Sequence, residues 1–190
     1  MPVEIVPDTK DWTWVLERRC PECGFDTRLV QRDSIPDLLR ECGAEWTDVL
    51  QGSGDICRRP AETVWSPLEY GCHVRDVFRL FDVRLGLMLA GDDPLFPNWD
   101  QDTTAIDDRY WEQDPSTIAA DLRAAADMLA DRFERVTDGQ WQRRGRRSDG
   151  ARFTIESFGR YLLHDPCHHL FDVTGRGYGE NNERMPHRGD

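Results

Sequence analysis

Lysine is almost missing from this chain: Lys10 is the only one in 190 residues, and arginine carries nearly all the positive charge. The arginines are scattered where no local chemistry asks for a guanidinium, so the bias is read as that of a GC-rich coding sequence. Positive charge is also outweighed, with a formal net charge of −12 and a pI near 4.8. That balance opposes the counterion release on which nucleic-acid binding depends, and it excludes nucleic acid as the expected partner. One basic run, Arg143-Arg144-Gly145-Arg146-Arg147, falls between two predicted elements and is expected to be a solvated loop. Long apolar runs are absent as well. The longest, Leu85 to Ala90, is far short of the about 20 residues a membrane helix needs, so no membrane role is expected. Met1 to Lys10 lacks the basic-then-apolar order of a secretory signal, which points to the cytoplasm. No Walker loop, dinucleotide fingerprint or G-x-S-x-G elbow occurs, which leaves nucleotide, NAD and serine-hydrolase readings without support.

What the chain does have is enough apolar mass for a core: 38% hydrophobic residues, with seven Trp and eight Phe. Four helices are predicted. The first opens at Ser34 with Asp37 three residues on, and carries Leu38, Leu39, Cys42, Trp46, Val49 and Leu50 before Gly52-Ser53-Gly54. The second opens at Ser66-Pro67-Leu68-Glu69, where Ser caps, Pro suits the first position and Glu reaches back, and it runs to Gly91. The third runs from Asp114-Pro115 to about Val136, and the fourth from near Thr154 to Gly175. Pro166 lies inside the fourth, removes the bond to the Leu162 carbonyl at a cost of about 3 kcal/mol, and predicts a kink unless packing compensates. A long connection, Asp92 to Gln113, separates helices two and three, and crossovers of that length usually cover or build a site. Trp141 to Phe153 reads as a small hairpin around Ser148-Asp149-Gly150. The expected architecture is an all-α four-helix bundle over residues 33–176, with an N-terminal extension over 1–32 and a mobile tail over 177–190.

Three histidines carry the chemistry. His164 and His168 are four residues apart on the fourth helix, hence on one face, and His73 lies on the apolar side of the second. Together they could hold a divalent ion with a position left for water, as in a catalytic site. Two hydrogen-bonded imidazoles in a polar seam and a satisfied core histidine are the competing readings. His169 is set aside because it is turned about 140° from His164, and His187 in the tail is expected to be solvated. Asp172, one turn past His168, and Asp102 in the crossover are candidates to orient a ligand or act as a base; Glu69 and Asp76 flank His73. Cys20-Pro-Glu-Cys23-Gly24 has the form of half a zinc knuckle, but no second C-x-x-C exists, and two thiols in a turn compete with zinc or redox use. Cys72 and Cys167 read as core hydrophobes.

The capped helix bearing His73, the stretch Arg160-Tyr-Leu-Leu-His164-Asp-Pro-Cys-His168-His and the acidic crossover Trp99-Asp-Gln-Asp102 resemble the DinB-like superfamily, which includes YfiT-like metal hydrolases and the mycothiol-dependent maleylpyruvate isomerase. The Asp11-Trp-Thr-Trp14 to Cys23 lead-in resembles an extension of actinobacterial members. The resemblance implies a bundle with a long crossover and a divalent metal, zinc or nickel, on His73, His164 and His168. It implies a small-molecule thiol such as mycothiol and an electrophile as partners, with a homodimer as the assembly allowed for. Thiol S-transfer is the first expected activity and metal-dependent hydrolysis the second. A non-catalytic bundle that uses the ion for stability or stress sensing stands as a further alternative, as does an interaction module built on Cys20 and Cys23.

Overall fold

In the computed structural model, which describes residues 11–185, four long helices form the body: α1 (Ile35–Gln51), α2 (Pro67–Ala90), α4 (Pro115–Glu134) and α5 (Ile155–Thr174). A short α3 (Gln101–Asp107) sits in the crossover. The expected four-helix bundle is what forms, with α4 and α5 each packed against both α1 and α2. The local reasons differ from helix to helix. α2 begins with a complete capping box between Ser66 and Glu69 and with Pro67 in the first turn. α5 has the same device in Thr154 and Ser157, and closes on Gly175 at φ 68°, the left-handed conformation that glycine adopts freely. Ser34 makes no capping bond at α1; its hydroxyl turns back to the Gln31 carbonyl within a short 3-10 helix, Arg32–Ser34.

The core is continuous. Trp46, Leu39, Phe78, Leu85, Leu122, Leu129, Phe133, Phe158 and Leu162 are buried at the centre of the bundle. At Gly43 the α1 and α4 backbones come so close that a Cβ would stand 2.6 Å from that of Ala126. α5 runs through Pro166 from Ile155 to Thr174 uninterrupted. Packing compensates there: Pro166 is buried, and its carbonyl accepts the Trp46 indole N–H at 3.1 Å.

Two segments differ from the sequence expectation. The basic run is not the solvated loop its charge suggested but the first strand, β2 (Arg144–Arg147), of the hairpin expected over Trp141 to Phe153; it pairs antiparallel with β3 (Arg152–Thr154) and parallel with β1 (Leu95–Phe96). Its arginines are held to the fold: Arg143 donates to the carbonyls of Met88 and Gly91 at the end of α2, and Arg147 bonds Asp149 and the Tyr161 hydroxyl. The tail also has fixed partners over 177–185. Arg19 donates to the carbonyls of Tyr178 and Gly179, Tyr178 N–H donates to Cys23 O, and Asn182 pairs with both backbone groups of Asp26. Extension and tail thus lie together over one end of α5. His187 and the candidate signal region Met1 to Lys10 lie outside the described residues. No helix is long and apolar enough to cross a membrane.

Trp46→Phe is expected to lower unfolding free energy by about 1–3 kcal/mol, because a buried acceptor loses its donor and the smaller ring leaves space. Urea denaturation followed by circular dichroism reads the effect, and an unchanged midpoint would rule out the compensating role of this bond.

Candidate metal centre

α5 carries two ligand pairs in adjacent registers. His164 and His168 lie one turn apart, and so do Asp165 and His169; one residue of offset rotates the second pair about 100° around the axis. Each pair meets a different partner. The nitrogens of His164 and His168 lie within 4.8 Å of the sulfurs of Cys20 and Cys23, while Asp165 and His169 gather within the same distance around His73 of α2. The three histidines expected to share one ion are therefore divided between two clusters, and among the described residues no cluster holds all three.

The first cluster is formed by the extension. A short 3-10 helix, Trp12–Leu16, lays the Trp12 ring 5.3 Å from both His164 and His168. The chain then turns tightly at Cys20-Pro-Glu-Cys23-Gly24: Gly24 N–H donates to Cys20 O, Cys20 N–H to Phe25 O, and Phe25 N–H to the Cys23 sulfur at 3.4 Å. Gly24 takes φ 81°, and a Cβ there would strike Tyr178 O, so glycine is required. Cys20 Sγ stands 3.7 Å from His168 Nδ1 and Cys23 Sγ 3.9 Å from His164 Nε2. The Cys23 thiol, then the imidazoles of His164 and His168, hold the Cys20 thiol far below its ordinary range. Cys23, as the group bonded to Cys20 and buried, is pushed up.

Both clusters border a cleft of about 1330 Å³: Asp165 and His169 of the second line it with Trp65, Trp99 and Arg84, and so do His164 and His168 of the first. His73 is fully buried; its Nε2 is 3.3 Å from Asp165 Oδ1, and its Nδ1 has no hydrogen-bond partner. Trp99 from the crossover stacks on His73 at 5.4 Å, Trp65 leans on it at 5.3 Å, and His169 meets it edge-on at 5.1 Å. Burial raises the Asp165 carboxyl, but the charge and hydrogen bond of His73, with His169 and His164 behind, outweigh it and hold Asp165 below the usual carboxylate range. His169 Nδ1 donates to Asp172 Oδ2 at 2.8 Å, which fixes the tautomer and leaves Nε2 as the basic nitrogen. Two imidazoles, a carboxylate and an orphaned buried nitrogen fit a divalent ion with positions open to the cleft.

Asp172 proves to be shared: besides His169, its Oδ1 is 3.7 Å from His168 Nε2, which also faces Glu22 at 3.5 Å. The other sequence candidates lie elsewhere. Glu69 is taken up by Ser66 and Arg59, and Asp76 by Arg75 and the Tyr110 hydroxyl. Asp102 lines the cleft from α3 but belongs to neither cluster. Cys72 is buried, its thiol pushed up to about 12 by desolvation, as suits a core residue. Asp165 was missed by sequence reasoning and His169 was set aside, although their four-residue gap is the same signal that singled out His164 and His168.

The sequence model described as DinB superfamily matches residues 38–171, most of the chain and all of the four-helix body but its margins. The chain belongs to the DinB superfamily. Its fold is that of a solved structure, "YfiT from Bacillus subtilis is a probable metal-dependent hydrolase with an unusual four-helix bundle topology", with a TM-score of 0.68 and 21% identity over 76% of this chain and 85% of that one. No curated protein sequence matches. The match to the DinB superfamily begins at Leu38, past Cys20 and Cys23, so the extension that completes the first cluster lies outside it.

Asp172→Asn is expected to weaken divalent-metal affinity by about 10–100-fold, because the amide no longer accepts a charge-assisted bond from His169 and brings no charge to face His168. Competition titration with a coloured chelator measures it, and an affinity equal to wild type would show that Asp172 orients neither ring.

Proposed function

We propose that this DinB protein is a metal-dependent enzyme whose working ion is held by His73, Asp165 and His169 at the wall of the cleft. The observation that carries the reading is the convergence of buried His73, from α2, with Asp165 and His169 of α5, which line the cleft. A divalent ion there, zinc or nickel by ligand type, would supply Lewis acidity and bring a bound water or thiol near to ionisation at neutral pH. The residues around it do the rest. Trp65 and Trp99 cover His73 and keep bulk water from it. Asp172 holds the His169 ring in one tautomer, and Asp165 brings the negative charge that favours a cation over a proton.

The cleft also suggests a substrate class. Arg84 lines it, is only 4% exposed, and has a buried Nε without a partner; its guanidinium donates to the Pro97 carbonyl and sits over the Phe96 ring at 5.0 Å. Burial and the nearby charge of Arg147 push it down to about 10, so the cation persists at neutral pH without a carboxylate beside it. An anionic group on the substrate would answer that charge. A small thiol such as mycothiol attacking a carboxylate-bearing electrophile is the first reading, in keeping with the resemblance to thiol-dependent members. Hydrolysis is the second, favoured by the likeness in fold to YfiT, itself described as a probable metal-dependent hydrolase.

Asp165→Asn is expected to lose the ion of this centre and at least about 100-fold of turnover while the helical signal stays intact. Turnover is followed with a mycothiol and maleylpyruvate-type pair and, in parallel, with a panel of small esters and amides; activity that survives in the variant would end the proposal. Arg84→Met is expected to raise KM for anionic substrates by about 10–100-fold, the loss of a charge-assisted bond, and to leave neutral substrates untouched. Equal effects on both would mean that Arg84 only supports the fold.

A further inference from the structure

The Cys20–Cys23–His164–His168 cluster carries an inference that does not depend on the chemistry proposed for the cleft. We infer that these four side chains form a second, closed metal site, which takes zinc and clamps the N-terminal extension to α5.

The geometry is the first support. Around a tetrahedral zinc, with sulfur at about 2.3 Å and nitrogen at about 2.0–2.1 Å, adjacent sulfur and nitrogen atoms stand about 3.5 Å apart. The observed edges are 3.7 Å for Cys20 Sγ to His168 Nδ1 and 3.9 Å for Cys23 Sγ to His164 Nε2. Burial is the second. The four ligands are 1%, 1%, 4% and 7% exposed; His164 and His168 reach the cleft at their edges, but two sulfurs and two nitrogens would fill a tetrahedral ion and leave it no position for substrate. The third is the turn that presents the sulfurs. Cys-Pro-Glu-Cys-Gly folds so that a backbone N–H points at the Cys23 sulfur and Gly24 adopts a positive φ, which directs both thiols to one point. The fourth is the support behind the ligands. With Nδ1 toward the sulfurs, His168 presents Nε2 to Glu22 and Asp172, the carboxylate pairing that fixes a metal-bound imidazole. Both cysteines are free thiols in the structure.

The clamp has a structural task. The extension that the two cysteines anchor also supplies Asp11, Trp12, Thr13 and Glu22 to the wall of the cleft. His164 and His168 alternate along α5 with Asp165 and His169, so fixing one pair fixes the rotation of the other.

The test is metal content and cobalt spectroscopy on the full chain. Wild type is expected to retain one zinc per chain after dialysis against a mild chelator, and the cobalt form to show thiolate-to-metal charge-transfer absorption with the intense visible bands of a tetrahedral centre. Cys20→Ser and Cys23→Ser should each lose that equivalent and the charge-transfer band, while Asp165→Asn keeps both. Should the serine variants fail to fold, the wild-type cobalt spectrum decides alone: bound cobalt without a thiolate band, or no tightly held metal, overturns the site. A reversible Cys20–Cys23 disulfide with no metal in the reduced protein would overturn it in favour of a redox pair. Loss of activity in Asp165→Asn with zinc retained would leave this site standing whatever becomes of the cleft chemistry.

Discussion

The rotation of α5 about its own axis is the constraint on which the remaining arrangement depends. Within six residues, His164 to His169, that helix presents the four groups that gather in the two clusters, and a turn of about 100° per residue decides which of them face the extension and which face α2. A slip of one position would offer His73 the wrong pair and turn the other away from Cys20 and Cys23. Several contacts hold the setting. Trp46 grips the Pro166 carbonyl from α1, Phe158 and Leu162 are buried below, and Asp172 touches both His168 and His169. Asp172 faces a histidine of each cluster, and the rings of His168 and His169 also meet edge-on at 5.9 Å, so the two sites are in contact along α5.

The extension and the tail belong to the working unit. Val15, Cys20, Cys23 and Phe25 are buried in the same core as the bundle, and Thr27 returns its hydroxyl to the Val15 carbonyl at 2.5 Å. Tyr178 packs its ring on Phe25 at 4.9 Å, and Arg184 ties the tail to Glu45 of α1. A bundle of four helices alone would leave His164 and His168 uncovered at its end. Trp12 and the knuckle close that end and at the same time shape the cleft, so the addition at the N-terminus acts on the site more than on the architecture.

The helices were legible because their signals are local. Ser66-Pro67-Leu68-Glu69 contains its own start, and the apolar stripe of α2 shows which side His73 occupies. The bundle and its crossover follow from such segments and from the long gap between them. Partnership across the fold was less accessible. Cys23 and His164 are 141 residues apart in sequence, and nothing within either segment announces the other, which is why the C-x-x-C looked like half of a motif. His169 was discarded through its angle to His164, a correct angle applied to a single-ion assumption; with two ions, the same rotation is what makes His169 useful. The arginine run became a strand because Gly145 lets it pass Met88 and Phe96, where a Cβ would fall within 3 Å of both, and charge pattern alone does not reveal that fit. The tail read as mobile from its glycines and polarity, yet its backbone groups satisfy those of the extension, a pairing that composition does not encode.

On the proposed two-site reading, the donor sets of the two clusters would let one helix serve both without confusing their ions. Two thiolates and two imidazoles form a soft, four-coordinate set that selects zinc strongly and has no position left for anything else. Two imidazoles and one carboxylate are a harder and poorer set, open to several divalent metals and to exchange, and an ion held there keeps room for a further ligand. Affinity therefore runs in the direction the fold requires, with the tighter site enclosed by the extension and the looser one at the cleft. The electrostatics agree. A zinc ion among Cys20, Cys23, His164 and His168 would balance two thiolates, so that filling the enclosed site would add little net charge beside Asp165 and leave the carboxylate free to attract the second ion. Were the thiols protonated and the first site empty, the extension would keep its core packing and its bonds to the tail, but the two sulfurs would meet α5 only through thiol and imidazole contacts at 3.7 and 3.9 Å. On the proposed reading, order at the enclosed site precedes chemistry at the open one.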